Sequence, residues 1–112
     1  MYRRAVYCLS TYRVHVIISF RGRGTEDVFD GRDTRAARAV CPPTLWKVAR
    51  RKLDQLEAAH ALLDLAAPPG NRLEALKGDR RGGCSIRIND QYRVCFVWTD
   101  DGPEQVEIVD YH

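Results

Sequence analysis

From Val16 onward the spacing of apolar positions changes several times, and each change marks an element. Val16-Ile17-Ile18-Ser19-Phe20 is a run of mainly β-branched residues and predicts a short buried strand. Arg21-Gly22-Arg23-Gly24 breaks it. Thr25-Glu26-Asp27 then predicts a short helix, with Thr25 as N-cap and acids in the first turn, ending near Gly31. Asp33 or Thr34 can cap a second helical piece, Arg35–Val40, stopped by Cys41-Pro42-Pro43. Leu45, Val48, Ala49, Leu53, Leu56, Ala59, Leu62 and Leu63 recur at three- and four-residue steps. They predict an amphipathic helix from Pro43 or Thr44 to about Leu65. Ala67-Pro68-Pro69-Gly70-Asn71 ends it.

After Asn71 the period becomes two. Leu73 and Ala75 alternate with Arg72 and Glu74, so a strand is expected there. Lys77-Gly78-Asp79-Arg80-Arg81-Gly82-Gly83 is a basic, Gly-rich loop. Cys84–Ile88 and Gln91–Trp98 read as strands around an Asn89-Asp90 hairpin turn, and Gln105–Tyr111 reads as the last strand after Asp101-Gly102-Pro103. Short links between consecutive strands favour antiparallel pairing. The expectation is an α+β domain: a small antiparallel or mixed sheet packed against N-terminal helices.

The chain has 112 residues, enough for one domain and one core. At 45% hydrophobic and 29% charged residues it has the composition of a folded globular protein, not of a disordered one. No apolar stretch has the length of a membrane span, and Arg13 and His15 interrupt any signal-peptide core, so no membrane is expected. None of Cys8, Cys41, Cys84 and Cys95 forms a C-x-x-C or lies at ligand spacing from a histidine. No zinc site, other metal or cofactor is therefore expected, and scattered thiols fit a reducing cytoplasm. Cys95, between Val94 and Phe96, reads as a small core residue. Residues 1–15 stack Arg with Tyr without a clean period and read as an extension, or a misassigned start, ahead of a single domain at 16–112.

Net charge is +3, a weak lean toward nucleic acid, and its distribution says more. Lys47, Arg50, Arg51 and Lys52 form a run without an acid, whereas Asp100, Asp101, Glu104, Glu107 and Asp110 crowd the C-terminal end. Either run can be a solvated face. The Gly-rich loop offers Lys77, Arg80 and Arg81 to a phosphate, although the order of a P-loop is absent. Arg87 and Arg93 lie within otherwise apolar strands, and a guanidinium suits the charge of a reacting phosphodiester. Asp110, Tyr111 and His112 supply acid–base groups at a strand end, which can equally be a frayed terminus. Regular alternation puts Asp110 and His112 on one sheet face and Tyr111 on the other. Metal-free RNA cleavage needs a base for the 2′-OH, an acid for the leaving oxygen and a cation over the phosphate, and these residues include all three types.

From about Val16 to His112 the sequence resembles the HigB-type (plasmid maintenance killer) toxins of the RelE-like superfamily. The stretches that carry the resemblance include Thr25-Glu26-Asp27-Val28-Phe29-Asp30-Gly31 and Leu45-Trp46-Lys47-Val48-Ala49-Arg50-Arg51-Lys52-Leu53. Asn71-Arg72-Leu73-Glu74-Ala75-Leu76-Lys77-Gly78-Asp79-Arg80, Ser85-Ile86-Arg87-Ile88-Asn89-Asp90-Gln91-Tyr92-Arg93-Val94 and Val109-Asp110-Tyr111-His112 complete them. The resemblance implies a ribosome-dependent endoribonuclease that cuts mRNA in the ribosomal A site without a metal. It implies Lys77 near the scissile phosphate, Arg93 stabilising it, and Asp110, Tyr111 and His112 positioning RNA and moving protons. It also implies a HigA-type helix-turn-helix antitoxin, with operator DNA bound only through the toxin–antitoxin complex. Some relatives carry a histidine where this chain has Glu74, which becomes a weaker candidate base. Lys47, Arg50, Arg51, Arg80, Arg81 and Arg87 are the expected contacts to RNA and ribosome. The alternative of a different class is a catalytically weak ribosome- or RNA-binding module of the same fold, which would bind ribosomes and cut nothing. A DNA-reading repressor is a further rival, disfavoured because no second short helix stands at helix-turn-helix spacing from the basic one.

Overall fold

The computed structural model describes residues 16–78 and 82–111. The extension assigned to residues 1–15, the loop arginines Arg80 and Arg81, and His112 lie outside them. Three helices precede a four-stranded antiparallel sheet: α1 (Arg23–Asp30), α2 (Arg35–Val40), α3 (Trp46–Ala58), β1 (Glu74–Ala75), β2 (Gly83–Arg87), β3 (Tyr92–Thr99) and β4 (Gly102–Asp110). Strand order follows the chain, β1-β2-β3-β4, because each link is short. The expected α+β architecture is therefore the observed one.

Alternation along the strands separates the two sheet faces. Ile86, Val94, Phe96, Val106 and Ile108 turn toward the helices and join Val28, Ala37, Ala49, Leu53, Leu56 and Leu65 in one core. The register aligns Glu74 with Ser85, Ser85 with Cys95, and Cys95 with Glu107, a single row across all four strands on the far face. Cys95 is buried as expected, but in that far-face row and not in the helix-packed core.

Several element boundaries differ from the sequence reading. The segment Val16–Phe20 does not form a strand. It runs beside β4 and makes one isolated parallel bridge, Phe20 to Val106, while Ile18 is 47% exposed. Its backbone bonds reach Pro103 from Ile18 and Val106 from Arg21. Between those contacts β4 carries a bulge against β3, with Gln105 in the left-handed region at φ 55. An extra residue on one strand interrupts a ladder, which limits the pairing to a bridge.

The α1 helix begins three residues early. Gly22 is its N-cap, and Gly24 lies inside it. Thr25 is not a cap: it is buried, and its hydroxyl accepts the Ile108 N–H at 2.9 Å, tying α1 to β4. Gly31 in the left-handed conformation closes α1, and the Thr34 side chain caps α2 by accepting from Ala37 N–H at 3.0 Å, both as the sequence indicates. The long helix is shorter than its periodicity predicts. A 3-10 turn at Pro43–Leu45 leads into α3, which stops at Ala58, and a second 3-10 turn spans Leu62–Leu65. The Asp64 carboxylate accepts the N–H groups of His60 and Ala61 at 2.9 and 3.0 Å. A short acidic side chain that takes backbone donors favours a new start over continuation. The hairpin link between β2 and β3 is wider than two residues, covering Ile88–Gln91. Asn89 Oδ1 accepts the N–H groups of Gln91 and Tyr92 there.

Candidate active site

The chemistry-bearing residues gather on the sheet face opposite the helices. Arg93, on β3, is aligned with Arg87 on β2 and Val109 on β4. Its side chain is 10% exposed. Nε donates to Ser85 Oγ at 2.7 Å, and Nη2 donates to the Arg72 carbonyl at 2.5 Å and the Ser85 carbonyl at 3.3 Å. Glu74, on β1 and 62% exposed, places Oε1 3.9 Å from Nη2. No hydrogen bond from Nη1 to a described residue accompanies these. The guanidinium is thus gripped along one edge by acceptors, an arrangement that fixes its plane.

Two arginines directly opposite each other on neighbouring strands repel unless each has a counter-charge. Glu74 answers Arg93, and Asp90 answers Arg87 at 2.5 Å across the turn. The Asp90 carboxylate is almost wholly solvent-exposed, so that pair is weakly held and easily exchanged for another anion.

The C-terminal residues approach from β4. Asp110 lies opposite Tyr92 at the sheet end, and Gln91 Nε2 donates to its Oδ2 at 3.1 Å. Tyr111 extends the ladder by one bond, its N–H reaching the Gln91 carbonyl at 2.5 Å. Its phenol oxygen lies 3.9 Å from Cys95 Sγ. Cys95 shares its row with Glu74 and Ser85, so Tyr111 and Arg93 occupy the same face. Asp110 alternates to the other side, as the sequence predicts for this pair. Lys77 is exposed just beyond β1, and no bond joins it to Arg93 or Glu74.

The basic run splits by depth. Lys47 and Arg51 are exposed on α3. Arg50 is half-buried and donates Nε to the Val28 carbonyl near the end of α1 at 3.1 Å, which gives it a structural bond the sequence reading lacked. Lys52 is buried, and its Nζ donates to Asn71 Oδ1 at 2.5 Å. Burial, and then the nearby Arg51 and Arg87, pull its pKa below the ordinary lysine value. Sequence reasoning missed Ser85 and Asn71. The available signal is a polar residue at an alternating position between Cys84 and Ile86, and an Asn that follows Pro68-Pro69-Gly70 at the end of the helical pattern. Among the described residues no group of three His, Cys, Asp or Glu side chains could hold a metal ion, and no helix is long and apolar enough to cross a membrane.

A short antiparallel sheet with helices on one face, and on the other a buried arginine and serine beside an exposed glutamate and tyrosine, defines a small α+β domain of the RelE-like toxin type. Residues 18–112 match the RelE-like HigB toxins of type II toxin–antitoxin systems. Toxin HigB-1 of Vibrio cholerae serotype O1 is 41% identical over 83 residues, covering 74% of this chain and 84% of that toxin. An uncharacterized protein of Haemophilus influenzae is 40% identical over 60 residues, covering 54% of this chain and 59% of that protein. The chain belongs to the HigB family of RelE-like toxins. It is a type II toxin, and membership implies an antitoxin partner.

Proposed function

We propose that this toxin is a ribosome-dependent endoribonuclease that cuts mRNA in the ribosomal A site by acid–base catalysis without a metal. The observation that carries the reading is the anchored guanidinium of Arg93, flanked by Glu74 and by the face that Tyr111 shares. In this reading a base takes the proton of the 2′-OH, and the 2′-oxygen attacks the adjacent phosphorus. An acid protonates the departing 5′-oxygen, leaving a 2′,3′-cyclic phosphate. Arg93 holds the phosphate as its charge rises, with Lys77 as a second cation. Asp110, Tyr111 and His112 position the RNA and move protons, and Glu74 is the weaker candidate base. Arg87, freed from Asp90, and the exposed Lys47 and Arg51 contact RNA or ribosome. Arg50, Arg80 and Arg81 are further basic contacts. The partner is a HigA-type helix-turn-helix antitoxin, operator DNA is met only through that complex, and action on ribosomes places the toxin in the cytoplasm.

The test is cleavage of a defined mRNA in a reconstituted translation reaction, with isolated RNA as control. Wild type should cut only on ribosomes, and Arg93→Ala should cut about 100- to 1,000-fold more slowly, the loss typical of removing one oxyanion donor. Ribosome binding without any cut by the wild type would instead establish the catalytically weak binding module, with Glu74 the first residue to exchange for His.

A further inference from the structure

The backbone at Asn71-Arg72 leaves the ladder that the rest of the β1 edge follows. Glu74 opposes Ser85, and the Leu76 N–H donates to the Gly83 carbonyl at 2.9 Å, which fixes the alternation of hydrogen-bonded pairs. Continued regularly, that ladder would send the Arg87 N–H to the Arg72 carbonyl. The bond goes instead to the Asn71 carbonyl, at 2.6 Å. Arg72 stands at φ 47, a left-handed conformation uncommon outside glycine. The slip of one residue releases the Arg72 carbonyl from the sheet, and that carbonyl receives Arg93 Nη2.

Asn71 holds the slip in place. It is fully buried, and its amide is satisfied by three neighbours. Oδ1 accepts from Lys52 Nζ at 2.5 Å, while Nδ2 donates to Gln55 Oε1 at 2.8 Å and to the Leu65 carbonyl at 2.9 Å. These contacts come from α3 and the 3-10 turn after it, on the helical side of the sheet. Arg93 works on the other side. The edge segment at Asn71-Arg72 is therefore a physical link between the helical layer and the guanidinium.

We propose that Lys52 and Asn71 are positioning residues for Arg93: their buried contact fixes the slipped ladder, so that the Arg72 carbonyl and Ser85 hold one edge of the guanidinium and leave the other to a phosphate. This rests on the reading of Arg93 as the phosphate-binding cation. Neither Lys52 nor Asn71 touches the substrate. A misplaced guanidinium should lower the chemical step and spare binding.

The experiment follows ribosome-dependent cleavage kinetics and the Arg93 Nε–H signal in 15N NMR of the full chain, purified from its antitoxin complex. Lys52→Met keeps most of the side-chain volume and removes the donor to Asn71. It should lower kcat about tenfold or more while KM for programmed ribosomes stays within about twofold. The Arg93 Nε–H signal should shift and exchange faster with solvent. Gln55→Leu, a milder change at a half-buried position, should give the same split in smaller measure and serves if Lys52→Met fails to fold. Ala37→Gly in α2 destabilises the fold away from this link and should leave kcat per folded molecule and the Nε–H signal unchanged. Wild-type kcat and an unmoved signal in both Lys52→Met and Gln55→Leu would overturn the proposal, as would an equal loss of kcat in Ala37→Gly. Arg93→Lys cutting as fast as wild type would instead sink the role of Arg93. Movement of its Nε–H signal in Lys52→Met would even then establish the positioning.

Discussion

Thr25 shows how a single polar atom decides a local structure. Its hydroxyl supplies the acceptor for the buried Ile108 N–H, and a β-branched side chain fits the space beside the core. Thr25→Val keeps the shape and removes the acceptor. Leaving a buried donor unsatisfied should cost about 1–3 kcal/mol, read as a lowered urea midpoint with an unchanged m-value. Cys41 carries a second residue-scale prediction. Burial pushes its thiol from an ordinary 9.0 up to about 11. The folded state therefore keeps a proton that the unfolded chain gives up, and stability from this group is full below pH 9 and lost as pH rises toward 11. The contribution is on the order of 2 kcal/mol. Lys52 acts with opposite sign in alkaline solution, since its lowered pKa makes folding more favourable as the ammonium loses its proton. Urea midpoints at neutral and alkaline pH, compared between wild type and Cys41→Ala, isolate the thiol. The variant should lose less stability on going alkaline, and equal losses would contradict the assignment.

At the scale of elements, α1 and α2 approach so closely that only glycine fits at position 24. A Cβ there would stand 2.5 Å from the Ala36 carbonyl oxygen and 2.6 Å from Val40 Cγ1. In an ordinary helix interior Gly→Ala gains up to about 1 kcal/mol. Gly24→Ala should invert that sign and lower the melting temperature, because rigid backbone cannot yield. The break between α3 and the following 3-10 turn gives the next prediction. Periodicity alone places Leu56 and Leu63 on one buried stripe, yet Leu56 is fully buried and Leu63 is 76% exposed. Leu56→Ala should cost about 2–5 kcal/mol, whereas Leu63→Ala should change stability by less than about 0.5 kcal/mol. Equal losses, measured by chemical denaturation, would mean that the helix runs through Ala59.

For the whole molecule, the sheet divides two surfaces with different tasks. The far face carries Arg93, Ser85, Glu74 and Tyr111, and the outer side of α3 carries Lys47 and Arg51. If the helix surface meets ribosomal RNA, Lys47→Glu with Arg51→Glu should weaken ribosome binding most at low salt. The two affinities should converge as salt rises, because fewer counterions are released by the variant. The cleavage rate on saturating ribosomes should be retained. Identical affinities at every salt concentration would leave α3 as a solvated face.

The sequence by itself determined the class of fold, the order of the three helices and the four sheet strands, and the turn chemistry at Gly31, Asp33-Thr34 and Asn89. These depend on local periodicity and on side chains that bond within a few residues. It also marked Arg93, as a charged residue in an otherwise apolar strand, and Tyr111, as an acid–base group at a strand end, whereas Glu74 entered only through the family resemblance. Tertiary structure decided what local rules cannot reach. The Ile108 N–H across the sheet set the task of Thr25, and the slipped ladder at Asn71 and Arg72 set the seat of Arg93. The same depth of packing divided one basic run into exposed Lys47 and Arg51, half-buried Arg50 and buried Lys52. Each of those outcomes depends on partners distant in the chain, and a hydrogen bond or buried charge acquires its role only when folding supplies the other half.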